Sequence, residues 1–69
     1  MYIVIEIQKT GDNLSTLVTT HNTQNEAESK FYTILSYAAV SKVPLHAASL
    51  LSEDGRCFRS EVYEHPVEE

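Results

Sequence analysis

Thr23-Gln24-Asn25-Glu26-Ala27-Glu28-Ser29-Lys30-Phe31-Tyr32-Thr33-Ile34-Leu35-Ser36-Tyr37-Ala38 is the stretch whose reading decides the fold. Thr23 followed three residues later by Glu26 is a capping box, in which each side chain can satisfy a backbone donor left over at a helix start. Ala27, Phe31, Ile34, Leu35 and Ala38 then recur at spacings that place them on one stripe of a helix. Glu26 and Lys30 form an i,i+4 pair on the outer side. Pro44 cannot continue the run, because it lacks a backbone donor and pushes Val43 toward an extended conformation. The spacing predicts one amphipathic helix over residues 24–41, with chain left on both sides to form strands.

Upstream, Tyr2-Ile3-Val4-Ile5-Glu6-Ile7-Gln8-Lys9 is rich in β-branched residues and repeats isoleucine with a period of two, as a strand does. Gly11 and Asn13 offer the positive backbone angles of a tight hairpin, with a two-residue loop at Gly11-Asp12 or Asp12-Asn13, and residues 14–21 read as the returning strand. Downstream, residues 43–52 are extended and apolar. Asp54-Gly55 is a strong hairpin signal, and residues 56–64 are the last strand. A two-residue turn there pairs Glu53 with Arg56, Leu51 with Phe58, His46 with Tyr63, Ala47 with Val62 and Leu45 with Glu64.

Two hairpins joined by one helix predict an α+β fold, a two-layer ββαββ sandwich with a four-stranded, mainly antiparallel sheet and the helix on one face. Residues 1–64 form the single domain, and residues 65–69 a short acidic tail. The third segment is less charged than the fourth, which favours a central position and the strand order 2-1-3-4. The alternative order, 2-1-4-3, is that of the β-grasp fold, with which this chain shares the succession of elements alone.

Alternation sorts the strand residues into two faces. Ile3, Ile5, Ile7, Leu14, Thr16 and Val18, with Leu45, Ala47, Leu51, Phe58 and Val62, are the more apolar set and are expected beneath the helix. Tyr2, Val4, Leu17, His46, Leu50 and Tyr63 are then expected on an open face, where they form a candidate interface. Tyr32 and Tyr37 flank the helix stripe and complete the candidate set. A two-fold copy of the same chain is the simplest cover for such a patch.

The chain has 69 residues, 42% hydrophobic and 22% charged, with ten acidic residues against five basic ones and a formal charge of −5. That composition belongs to a folded globular chain. It lacks the clustered Lys and Arg that phosphate-backbone binding needs, so direct nucleic-acid binding is not expected. Six acids fall between Glu53 and Glu69 against Arg56 and Arg59, which motivates a second reading as an acidic, nucleic-acid-mimicking inhibitor of the phage type. No apolar run approaches a membrane span and no signal-peptide pattern opens the sequence, so no membrane partner and a cytoplasmic location are expected.

Chemistry is sparse. Cys57 is the single cysteine, which excludes an internal disulfide or a cysteine-based zinc site within one chain. His21, His46 and His65 match no ligand spacing, and no paired carboxylates or glycine-rich loop emerge. No catalytic, cofactor-binding or metal-ligating residue is therefore assigned, and no cofactor is expected. The chain reads as a small protein-interaction module, homodimeric through its open sheet face. A ligand or metal site built at a dimer seam from His21, His46, Tyr2 and Tyr63 is a further alternative.

Overall fold

In the computed structural model, which describes residues 1–65, the central helix runs where its capping signal places it. The chain forms β1 (Tyr2–Thr10), β2 (Asn13–His21), α1 (Gln24–Val40), β3 (Leu45–Ser52) and β4 (Cys57–Glu64). Thr23 caps α1 with extended backbone, its hydroxyl accepting the Glu26 N–H at 3.2 Å. At the other end Ser41 turns extended, its N–H donates to the Ala38 carbonyl at 3.3 Å, and its hydroxyl accepts from the Val43 N–H at 3.0 Å. Those bonds occupy groups that a helix end leaves open. Strand β3 begins at Leu45, after Pro44, instead of at Val43.

All neighbouring strands are antiparallel, in the order β2-β1-β3-β4, and the sheet is open. The β-grasp order does not occur. The first hairpin closes on Gly11-Asp12 between the paired Thr10 and Asn13, with Gly11 at φ 61°, a conformation that costs glycine little.

The second hairpin departs from the expected register at its tip. Its loop has three residues, Glu53-Asp54-Gly55, with the Ser52 N–H donating to the Arg56 carbonyl at 2.8 Å and Gly55 at φ 91°. The longer loop shifts the pairing so that Leu51 lies opposite Cys57, and the expected Glu53–Arg56 and Leu51–Phe58 pairs do not form. A β-bulge at Phe58 takes up the extra residue, after which Leu50 faces Arg59, and His46, Ala47 and Leu45 meet Tyr63, Val62 and Glu64 as expected.

The helix stripe is as the spacing predicts: Ala27, Phe31, Ile34, Leu35 and Ala38 are buried. The sheet face beneath it is the opposite of the one expected. Val4, Ala48 and Leu50 pack with Ala27, Phe31, Ile34 and Leu35 into the core, with Tyr2 and Tyr63 against its margin. Phe31, Leu50 and Val4 are its largest fully buried side chains. The isoleucines of β1 point the other way and are only partly buried.

The path of the chain explains the reversal. β2 and β3 run parallel to each other on either side of β1, so α1 is a crossover connection. The handedness rule for such crossovers acts on the backbone path and is indifferent to which face carries more apolar side chains. On the face so covered, Ala48 packs in the same cluster as Ala27 of α1.

His65, assigned to the acidic tail, is held to the body. Its N–H donates to the Pro44 carbonyl at 2.9 Å and its Nε2 to the Ala38 carbonyl at 2.8 Å, near the end of α1 where a histidine donor is favoured. The remaining tail residues, 66–69, lie outside the described residues. No helix among the described residues is long and apolar enough to cross a membrane.

Candidate interaction surface

A thin slab results, with Cα extents of 42 × 21 × 15 Å, one helix deep on one side of the sheet and bare on the other. The bare face is built in rows. Thr20, Ile3, Leu51 and Cys57 form the first; Val18, Ile5, Ser49 and Ser60 the second; Thr16, Ile7, Ala47 and Val62 the third; Leu14, Lys9, Leu45 and Glu64 the last. Its middle rows combine Val18, Ile5, Ile7, Ala47 and Val62 with Thr16 and the mutually bonded Ser49 and Ser60 hydroxyls at 3.2 Å, and its charged side chains are one lysine and one glutamate in the same end row. Leu14, Val18 and Val62 are 63%, 57% and 53% exposed. Leaving so much branched aliphatic surface in water forgoes about 25 cal/mol for each Å² that a partner would cover. Contiguous patches of this kind mark contact surfaces on small proteins.

The expected interface residues divide differently. Val4, His46 and Leu50 are buried under α1, and Tyr2 and Tyr63 are half-buried against the core, so none of these five belongs to an open face. Their assignment to a docking surface is corrected by the reversal of the sheet. Leu17 is exposed, on the helix side of β2. Tyr32 and Tyr37 are exposed on α1.

Tyr32 borders an open groove of about 700 Å³ between α1 and β4, lined by Phe31, Leu35, Phe58, Arg59, Glu61 and Tyr63 among others. The groove exists because α1 lies over β1 and β3 and stops short of β4. Its one basic group is already engaged within the chain: Arg59 donates to Glu28 at 3.4 Å, and its guanidinium lies 5.8 Å from the Tyr32 ring centre. Phe58, expelled from the ladder by the bulge, sits with its ring 6.0 Å from that of Tyr2.

Beneath α1 the sheet carries one polar pair. His46 Nε2 lies 2.6 Å from Glu6 Oε2, and the Gln8 amide donates to the same oxygen at 3.3 Å. A carboxylate only accepts, so Nε2 carries the hydrogen, and the buried Nδ1 has no partner among the described residues. The pair supplies a hydrogen-bond donor to a carboxylate that β1 carries onto the covered face. Sequence alternation puts Glu6 and His46 on the same face, but their pairing depends on β1 and β3 being neighbours.

The remaining sequence candidates do not converge. His21 and His46 lie at opposite ends of the covered face, and His21 Nε2 is taken up by the Thr19 hydroxyl at 3.0 Å. With Tyr2, Tyr63 and His46 turned toward the helix, they cannot line a seam between open sheet faces. No cluster of three or more metal-ligating side chains occurs among the described residues. Cys57 is exposed and its thiol faces the Arg59 carbonyl. The C-terminal acids disperse: Glu53 and Asp54 sit in the turn, Glu61 on the covered face and Glu64 on the bare one, while Glu68 and Glu69 lie outside the described residues. Asp54 serves the turn itself, its carboxylate accepting from the Ser52 hydroxyl and the Arg56 N–H. The Ser52 hydroxyl first, and the Arg56 backbone second, hold that carboxyl below the usual carboxylate range.

Comparison of the chain with protein-family models, with curated proteins and with solved structures finds no match.

Proposed function

We propose that this chain is a small cytoplasmic protein-interaction module that acts by binding, not by catalysis, and that its docking surface is the bare sheet face centred on Ile5. The observation that carries this reading is the lopsided burial of the sheet: one face is closed by α1, while the other keeps Ile3, Ile5, Ile7, Leu45, Leu51 and Val62 without a covering layer. Domains are stable as two packed layers because each apolar face needs cover, and this sheet has cover on one side only. A homodimer is the simplest form of the module, since two-fold dimers are the commonest assemblies of soluble chains.

The test compares recovery of bound protein from a cell extract by the wild type, by Ile5→Glu and by Tyr37→Ala. Expected is a partner, either the chain itself or another protein, that Ile5→Glu loses and Tyr37→Ala retains. Recovery that is indifferent to Ile5→Glu, with the variant folded by circular dichroism, overturns the assignment of the surface.

A further inference from the structure

Resting on the reading of the bare face as a docking surface, we propose that a second copy covers it about a two-fold axis parallel to the strands and midway between β1 and β3. The two sheets then become the inner layers of a four-layer α/β/β/α sandwich. Three features of the face select this occupant and this axis.

The first is charge. The chain carries a formal charge of −5, yet the bare face holds only Lys9 and Glu64, one of each sign. Two copies can meet there without bringing their excess acids together, and like-charge juxtaposition is what most strongly rejects a wrong partner.

The second is shape. Rotation about an axis along the strands lays β1 over the partner copy's β3 and keeps each row at its own height. Ile5 then faces the partner's Ser49, Ile7 the partner's Ala47, and Val18 the partner's Ser60. In the two middle rows large side chains fall on small ones, as interdigitating layers require, while in the end rows Ile3 meets the partner's Leu51 and Lys9 the partner's Leu45. An axis across the strands instead sets Ile5 against the partner's Ile7 and Ser49 against the partner's Ala47. That arrangement stacks large on large and small on small in the middle rows, and puts Lys9 and Glu64 at opposite ends of the interface from their counterparts in the partner. Along the chosen axis Lys9 lies one strand spacing, about 4.8 Å, to the side of the partner's Glu64, within a lysine's reach. The contact occurs twice by symmetry.

The third is area. Four strands about 4.8 Å apart and eight residues long at about 3.3 Å each give a footprint of roughly 500 Å² per copy. The two footprints together reach about 1,000 Å², the size a specific interface must clear. Complete overlap of the sheets is needed to reach it, and among axes along the strands the one midway between β1 and β3 overlaps all four.

The experiment is sedimentation equilibrium from micromolar to millimolar protein, on the wild type, Ile5→Glu, Val62→Glu, Lys9→Glu, Glu64→Lys and the Lys9→Glu/Glu64→Lys double variant. Val62 is half-exposed in the isolated chain, so its variant reports on association even if Ile5→Glu fails to fold. Expected are a wild-type dimer, monomers for the Ile5 and Val62 variants, a dissociation constant raised roughly tenfold by each single charge reversal, and recovery of the wild-type value in the double variant. A wild type that stays monomeric across the range overturns the second copy as occupant, and leaves the extract experiment to judge the docking surface. A dimer that persists in both glutamate variants of the face overturns the second copy and the docking surface together. A double variant no tighter than the singles overturns the axis.

Discussion

The polar pair beneath the helix provides a quantitative test of how this small core is held. Glu6 and His46 meet at 2.6 Å with side-chain exposures of 18% and 5%, and the pair has one further donor, Gln8. Breaking a buried pair by removing one member typically costs about 3–5 kcal/mol, because the survivor is left uncompensated, whereas replacing both by apolar groups is close to neutral. Here Glu6 keeps Gln8 and some solvent when His46→Leu is made, which lowers that cost to about 2 kcal/mol. Glu6→Leu leaves both ring nitrogens of a buried His46 without partners and costs about 2–3 kcal/mol. The double variant removes both members and the Nδ1 unpaired in the wild type, leaves the partly exposed Gln8 amide to solvent, and is expected within about 1 kcal/mol of the wild type. The coupling between the two positions is then about 4 kcal/mol.

For a chain of this length the whole stability is about 3–10 kcal/mol, so each single change is conspicuous. The assay is urea unfolding followed by far-ultraviolet circular dichroism at one fixed protein concentration, because association adds to apparent stability. Single variants whose losses simply add in the double variant, within about 0.5 kcal/mol, would refute the claim that the two side chains act as a unit.

Phe31→Ala removes the largest fully buried side chain and should cost about 3–5 kcal/mol, visible as loss of the cooperative urea transition or a large fall in its midpoint. Gly55→Ala meets no steric neighbour, so its cost comes from φ +91° alone and should be about 1–2 kcal/mol by thermal unfolding; a neutral result would show the loop re-forming without the left-handed residue. Thr23→Ala removes the hydroxyl that caps Glu26 and should cost about 1 kcal/mol, with Thr23→Ser restoring most of it. Because the Asp54 carboxyl is held below its ordinary range, its contribution is complete above the unfolded value, near pH 4, and is lost as pH falls through the lower folded value. Comparison of acid unfolding should therefore show Asp54→Asn diverging from the wild type above about pH 4 and converging below it.

Local signals carried most of the architecture. The Thr23 cap, the apolar stripe from Ala27 to Ala38 and the stop at Pro44 set the helix; the alternating isoleucines, Gly11-Asp12 and Asp54-Gly55 set the two hairpins. Each is a short-range effect of backbone geometry, readable within a few residues. The order of the strands also followed from composition, since the weakly charged β3 belongs inside the sheet and the charged β4 at its edge.

The candidate surface was legible only as two alternating sets of residues, because alternation is symmetric: it divides a strand into two faces without saying which one the helix covers. That choice belongs to the path of the crossover from β2 over β1 to β3, and it moved Val4, His46 and Leu50 from the expected interface into the core. Tertiary structure likewise decided the three-residue loop and the Phe58 bulge that compensates it, the pairing of Glu6 with His46 across β1 and β3, and the tie from His65 to the end of α1. All of these join residues distant in sequence or depend on a one-residue slip in register, and neither quantity is encoded in local propensity. What the sequence by itself determined is which elements form and which residues share a face. What only the folded chain decided is which face meets the helix and which is left for a partner.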